Sequence, residues 1–158
     1  MASRSRALVA AMLLAIVQAC GGSAGTMSPT VPPLPEDFPL GAWTVTITED
    51  DLRDAGITDP GMLAENTGVF TKTYAADGTW TVAQETDAPI RWPVFRGTYQ
   101  AIAPNEIEEV TSFPEDYAGD VVRFRWAREG QNVRFTVVDP PDPILPILTE
   151  THPWQPAA

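Results

Sequence analysis

From residue 40 onward the chain alternates. In Leu40-Gly41-Ala42-Trp43-Thr44-Val45-Thr46-Ile47-Thr48, apolar Trp43, Val45 and Ile47 take every second position and threonines the others, which predicts a strand with one buried face. The pattern then changes. In Glu49-Asp50-Asp51-Leu52-Arg53-Asp54-Ala55-Gly56, acids fill the first turn of a helix that Thr48 can cap and Gly56 can close. Thr58 to Asn66, with Asp59-Pro60-Gly61, reads as a turn-rich loop.

Short strands follow at the spacing of an antiparallel barrel or sandwich. Gly68 to Ala75 and Thr79 to Glu85 flank Ala76-Asp77-Gly78, a hairpin loop in which Gly78 can take the left-handed position. Val94 to Ala101 and Glu106 to Thr111 flank Pro104-Asn105, and Val121 to Arg128 and Asn132 to Val138 flank Glu129-Gly130-Gln131. Asp139-Pro140-Pro141-Asp142-Pro143 breaks the sheet, and Ile144 to Thr151 reads as a short closing strand or turn, confined to an edge by Pro146. This gives seven strands, or eight with the last.

Period two sorts the faces. Trp43, Val45 and Ile47 match Phe70, Tyr74, Trp80 and Val82, then Phe95, Gly97 and Tyr99, then Val122, Phe124 and Trp126, then Val133, Phe135 and Val137. The other parity is mostly Thr, Arg and Gln. A dry aromatic face and a wet one fit a sheet closed on itself, an all-β antiparallel β-barrel of about eight strands. With 158 residues the chain has room for one such domain, assigned to residues 40–158.

The chain before it is of another kind. Met1 to Val17 carries Arg4 and Arg6, no acid, and an apolar run of 11 residues from Ala7 to Val17, too short to span a bilayer and suited to an export signal over residues 1–19. Val17-Gln18-Ala19-Cys20-Gly21 resembles the bacterial lipobox, with Val17 for the usual leucine and Gln18 bulkier than usual. That resemblance implies cleavage before Cys20, diacylation of the cysteine and a lipid-anchored domain outside the cytoplasm; the alternative is an ordinary secretory signal with an incidental cysteine. Gly21 to Pro39, rich in Gly, Ser, Thr and Pro, reads as a tether.

Charge narrows the partners. The whole chain has a formal net charge of −11, and loss of residues 1–19 with two arginines takes it to −13. Such a surface repels nucleic acid, which is not expected as a partner, and attachment to a bilayer falls to the acyl chains. Most of these acids keep an exported protein soluble.

The residues also resemble a family. Gly41-Ala42-Trp43 resembles the Gly-x-Trp signature of the lipocalin and calycin barrels. More closely, Trp43 to Gly56, Asp77-Gly78-Thr79-Trp80, Gly97-Thr98-Tyr99, Phe124-Arg125-Trp126 and His152-Pro153-Trp154 are similar to a lipocalin-like group of exported actinobacterial proteins. The resemblance implies an up-and-down barrel with a cup for a small hydrophobic molecule, closed at its base by Gly41 and Trp43 under a basic side chain, Arg125 or Arg134. Residues 49–66 would then lie over the mouth as a lid. The chain departs from typical lipocalins in having no disulfide.

Several residues carry candidate chemistry. Lys72, the sole lysine, shares the inward parity of Phe70 and Tyr74. It meets a ligand anion in the cup, pairs with an inward acid, or snorkels to the rim. Phe70, Tyr74, Trp80, Tyr99, Phe124, Trp126 and Phe135 either line a ligand cavity or fill the barrel. His152, the sole histidine, has no nucleophile element beside it in sequence, so a catalytic role is not assigned. No metal site and no cofactor is assigned, since one histidine and one cysteine cannot build one. Glu108-Glu109, Glu115-Asp116 and Asp50-Asp51 lack the spacing of a calcium loop and read as mostly solvated.

The expectation is therefore a membrane-anchored monomer, not an enzyme, that binds a small hydrophobic or amphipathic ligand in its barrel. The alternative is a filled barrel serving as a structural or protein-interaction module of the cell envelope.

Overall fold

The computed structural model of the chain describes residues 33–158. The expected export signal, Cys20 and the first part of the expected tether lie outside them. Eight antiparallel strands form one sheet: β1 Gly41–Ile47, β2 Gly68–Tyr74, β3 Thr79–Glu85, β4 Val94–Ala103, β5 Glu106–Phe113, β6 Val121–Glu129, β7 Asn132–Asp139 and β8 Gln155–Pro156. Their order is β7-β6-β5-β4-β3-β2-β1-β8, so the first seven run as a plain meander. β8 pairs with β1 at Trp43 and Thr44, while Trp154 exchanges backbone hydrogen bonds of 2.9 and 2.7 Å with Val133 of β7. The sheet thereby curls into a nearly closed barrel. Closure removes the unpaired edges that an open sheet leaves to other chains.

The inward parity is the one the alternation predicts. Trp43, Val45, Ile47, Phe70, Tyr74, Trp80, Tyr99, Phe124, Trp126, Val133 and Phe135 are all buried in one cluster. Gly97 belongs to it for a steric reason: a Cβ there would lie 1.9 Å from the Val110 carbonyl oxygen and 2.9 Å from Trp80 Nε1. Its missing side chain lets β4 and β5 pinch together under the Trp80 indole, whose N–H donates to the Thr98 carbonyl at 3.1 Å.

The two ends of the barrel differ in their connections. At the end where β1 begins, the hairpins are tight, as at residues 75–78, where Gly78 adopts φ +83° and Asp77 accepts from the Thr79 amide and hydroxyl. At the other end they are long. One carries helix α1, Glu49–Asp54, started by a reciprocal bond pair between Thr48 and Asp51 that satisfies two orphan donors.

Three sequence expectations need correction. Thr58 to Asn66 is not a loop throughout: Pro60–Asn66 forms helix α2, capped by Asp59, whose carboxylate accepts from the Met62 amide at 2.9 Å. Asp-Pro-Gly suits a turn, but it equally suits a cap followed by proline at the first helical position. Second, Ile144 to Thr151 is no closing strand. Leu145–Glu150 is helix α3, because Asp142 accepts from the Ile144 and Leu145 amides at 2.7 Å each and so starts a turn rather than a ladder. α3 still covers the edge of β7, with Glu150 Oε1 accepting from the Val137 amide at 2.9 Å and Arg134 donating to the Glu150 carbonyl at 2.6 Å. Strand closure falls instead to Trp154 and β8.

Third, the chain read as tether does not stop at the barrel wall. Phe38 is 4% exposed, with its ring 5.2 Å from those of Tyr74 and Tyr99 and 5.8 Å from Trp126. A lone aromatic among prolines has no periodicity to announce it. Its burial depends on strands far away in sequence.

Candidate functional site

Above the closed end the barrel is hollow. A cavity of about 780 Å³ opens between the long connections, within the range of sites for small organic molecules. Phe70, Trp80, Val82, Phe95, Val122 and Phe124 give it apolar walls. α2 reaches its rim because Gln84, on the inward parity of β3, donates to the carbonyls of Glu65 and Thr67 at 2.9 and 3.1 Å. Across the rim Arg91 meets Asp116 at 2.9 Å, joining the β3–β4 and β5–β6 connections.

Two charged side chains lie at this cavity while remaining buried from bulk water. Lys72 of β2 is 3% exposed and Glu109 of β5 is 4% exposed, and Nζ approaches Oε1 to 2.7 Å. The Tyr74 hydroxyl donates to the same oxygen. Aromatic faces enclose the ammonium, with ring centroids 4.2 Å away at Phe124, 5.2 Å at Tyr74, 5.4 Å at Phe135 and 5.6 Å at Trp80. Burial pulls the Lys72 pKa below its ordinary value, and Glu109 pushes back against that shift. The same burial and the neighbouring carboxylate hold the Tyr74 phenol well above its ordinary range.

The predicted ligand residues therefore divide. Phe70, Lys72, Trp80 and Phe124 line the cavity. Tyr74, Tyr99, Trp126 and Phe135 do not; they pack beneath it, against one another and Phe38. Of the readings for Lys72, the inward acid is the partner found.

Glu109 does not stand out in the sequence. Beside Glu108 it looks like half of a solvated pair, but Ile107 is fully buried and period two from Ile107 carries Glu109 inward. Glu108 takes the outer parity and pairs with Arg123 at 3.0 Å.

At the base, Trp43 is buried and donates to the Pro39 carbonyl at 2.8 Å. The basic side chain over its ring is Arg128, at 4.9 Å, and not Arg125 or Arg134. Arg125 bonds Glu106 on the outer face, and Arg134 is held by Glu129 and Glu150. His152 pairs with Asp51 at 2.9 Å, linking the chain after α3 to α1. The Asp51 carboxyl lies below its usual range because Thr48 donates to it from hydroxyl and amide, with His152 adding to the shift.

A second depression, about 750 Å³, lies on the outer wall between α1, α2 and residues 85–88. It holds no aromatic side chain, and its charged pair, Glu49 and Arg53, is satisfied within α1. Comparison with protein-family models, curated proteins and solved structures returns no match for this chain.

Proposed function

We propose that this protein binds a small apolar or amphipathic molecule in the cup of its barrel, and that acyl chains on Cys20 hold the domain at a membrane surface outside the cytoplasm. One observation carries the reading: the cavity of about 780 Å³ between the rim and the Lys72–Glu109 pair, walled there by apolar and aromatic side chains. The residues proposed to meet the ligand are Phe70, Lys72, Trp80 and Phe124, with Glu109 added. The lipid anchor rests on the sequence around Cys20 alone.

The alternative of a structural or interaction module draws on the other half of the barrel, where Phe38, Tyr74, Tyr99 and Trp126 leave no cup to fill. Native mass spectrometry of the chain purified from its own host separates the two. A co-purified small molecule, lost on Phe124→Ala, supports binding. Bare protein, together with unchanged tryptophan emission on titration with apolar ligands, overturns it.

A further inference from the structure

We propose that the cup selects uncharged amphiphiles, taking a hydroxyl, amide or similar neutral hydrogen-bonding head at the Lys72–Glu109 pair and an apolar body against the aromatic wall above it. The inference rests on the reading that the cup binds a ligand.

A head group reaching this part of the cavity meets both charges at once. Nζ and Oε1 are 2.7 Å apart, so the attraction an anion feels toward Lys72 is opposed by Glu109, and a cation faces the reverse. Neither ion recovers what it loses on leaving water, which is far more than a hydroxyl loses. A neutral donor–acceptor group is treated differently. Among the described residues both contacts of the Glu109 carboxylate fall on Oε1, one from Lys72 and one from Tyr74, which leaves Oε2 to accept from an incoming O–H or N–H. The Lys72 ammonium has three hydrogens and one ion-pair partner among the described residues, so it can donate to the oxygen of the same head.

The entrance points the same way. Glu65, Asp120 and Asp142 line the cavity, and the one arginine there, Arg91, is already paired with Asp116. With a formal charge of −11 on the whole chain, an anionic amphiphile is repelled before it reaches the pair. Single-charge recognition of a carboxylate would need Lys72 free of Glu109, and it is not free.

The test uses the full chain and four probes sharing a decyl group: decan-1-ol, decyl methyl ether, decanoate and decyltrimethylammonium. Binding is read by tryptophan fluorescence, since Trp80 lines the cavity. Decanol should bind at least about tenfold tighter than either ion and about fivefold tighter than the ether, which can accept but not donate. In Lys72→Met/Glu109→Met, which removes both charges together and so leaves neither buried alone, the preference for alcohol over ether should vanish. Decanoate binding as tightly as decanol, or an alcohol preference that survives the double substitution, overturns the head-group inference and leaves the cup reading standing. Binding by none of the four overturns both.

Discussion

The two ends of this barrel are written in the same alternating code and end up as different materials. Along β2, Phe70, Lys72 and Tyr74 follow one another at period two, yet Phe70 borders open space, Tyr74 lies in a packed aromatic cluster, and Lys72 sits between them. Parity sets which way a side chain points. Height along the strand, and what chain arrives there from elsewhere, decides whether it fills or lines. At the closed end Phe38 enters from outside the sheet and completes a packed layer. At the open end the long connections stand around the space and α2 is tied to its rim by Gln84.

The sharpest way to break that contrast is at the boundary between the halves. Lys72→Met leaves Glu109 buried without its partner and should remove about 3–5 kcal/mol from the unfolding free energy, read by urea denaturation. Lys72→Met/Glu109→Leu/Tyr74→Phe should return to within about 1 kcal/mol of the parent, because an apolar trio of similar volume has no charge to desolvate and leaves no buried hydroxyl without its acceptor. A triple variant as weak as the single one would mean that the three side chains are not the isolated unit their geometry describes.

Phe38→Ala tests the closed end. It empties a fully surrounded site and should lower stability by about 3–5 kcal/mol, whereas Phe70→Ala, already open to the cavity on one side, should lose less than half as much. Equal losses would show the open end to be packed as tightly as the base. Gly97→Ala should follow at about 1–3 kcal/mol, since its new methyl meets backbone that can move only by spreading β4 from β5. At the rim, Thr48→Ala removes the cap of α1 for about 1 kcal/mol and should leave the closed end untouched.

The last effect is nil at neutral pH. Tyr74 is held well above the ordinary tyrosine value, and Tyr99 is pushed up to about 12 by burial and then by the charge of Asp77. Above about pH 10 the unfolded chain releases these protons and the native one keeps them, so the unfolded state binds fewer and stability falls as pH rises. Tyr74→Phe should flatten that fall. Phenolate absorbance amounting to all three tyrosines of the chain at the ordinary tyrosine pH, with the fold intact, would place both hydroxyls in water.

The first seven strands, their inward face, the hairpins and the first helix are legible in the sequence. Each depends on neighbours a few residues away: alternation from Trp43 to Ile47, the cap at Thr48, the left-handed turn at Gly78. Lys72 stood out for the same reason, as a lone cation on an apolar parity. Its partner was harder to see. Glu109 lies 37 positions further on and faces Lys72 only because β2 and β5 curve around the same interior.

An antiparallel sheet with one dry face follows from the sequence, because period-two burial and turn chemistry are local properties of the chain. Tertiary structure alone decided that Phe38 plugs one end, that Arg128 covers Trp43, that α3 and a two-residue strand finish the wall, and that Lys72 is neutralised by Glu109. Each of those is a meeting of segments distant in sequence, and no local pattern encodes which distant surface arrives to bury a given side chain.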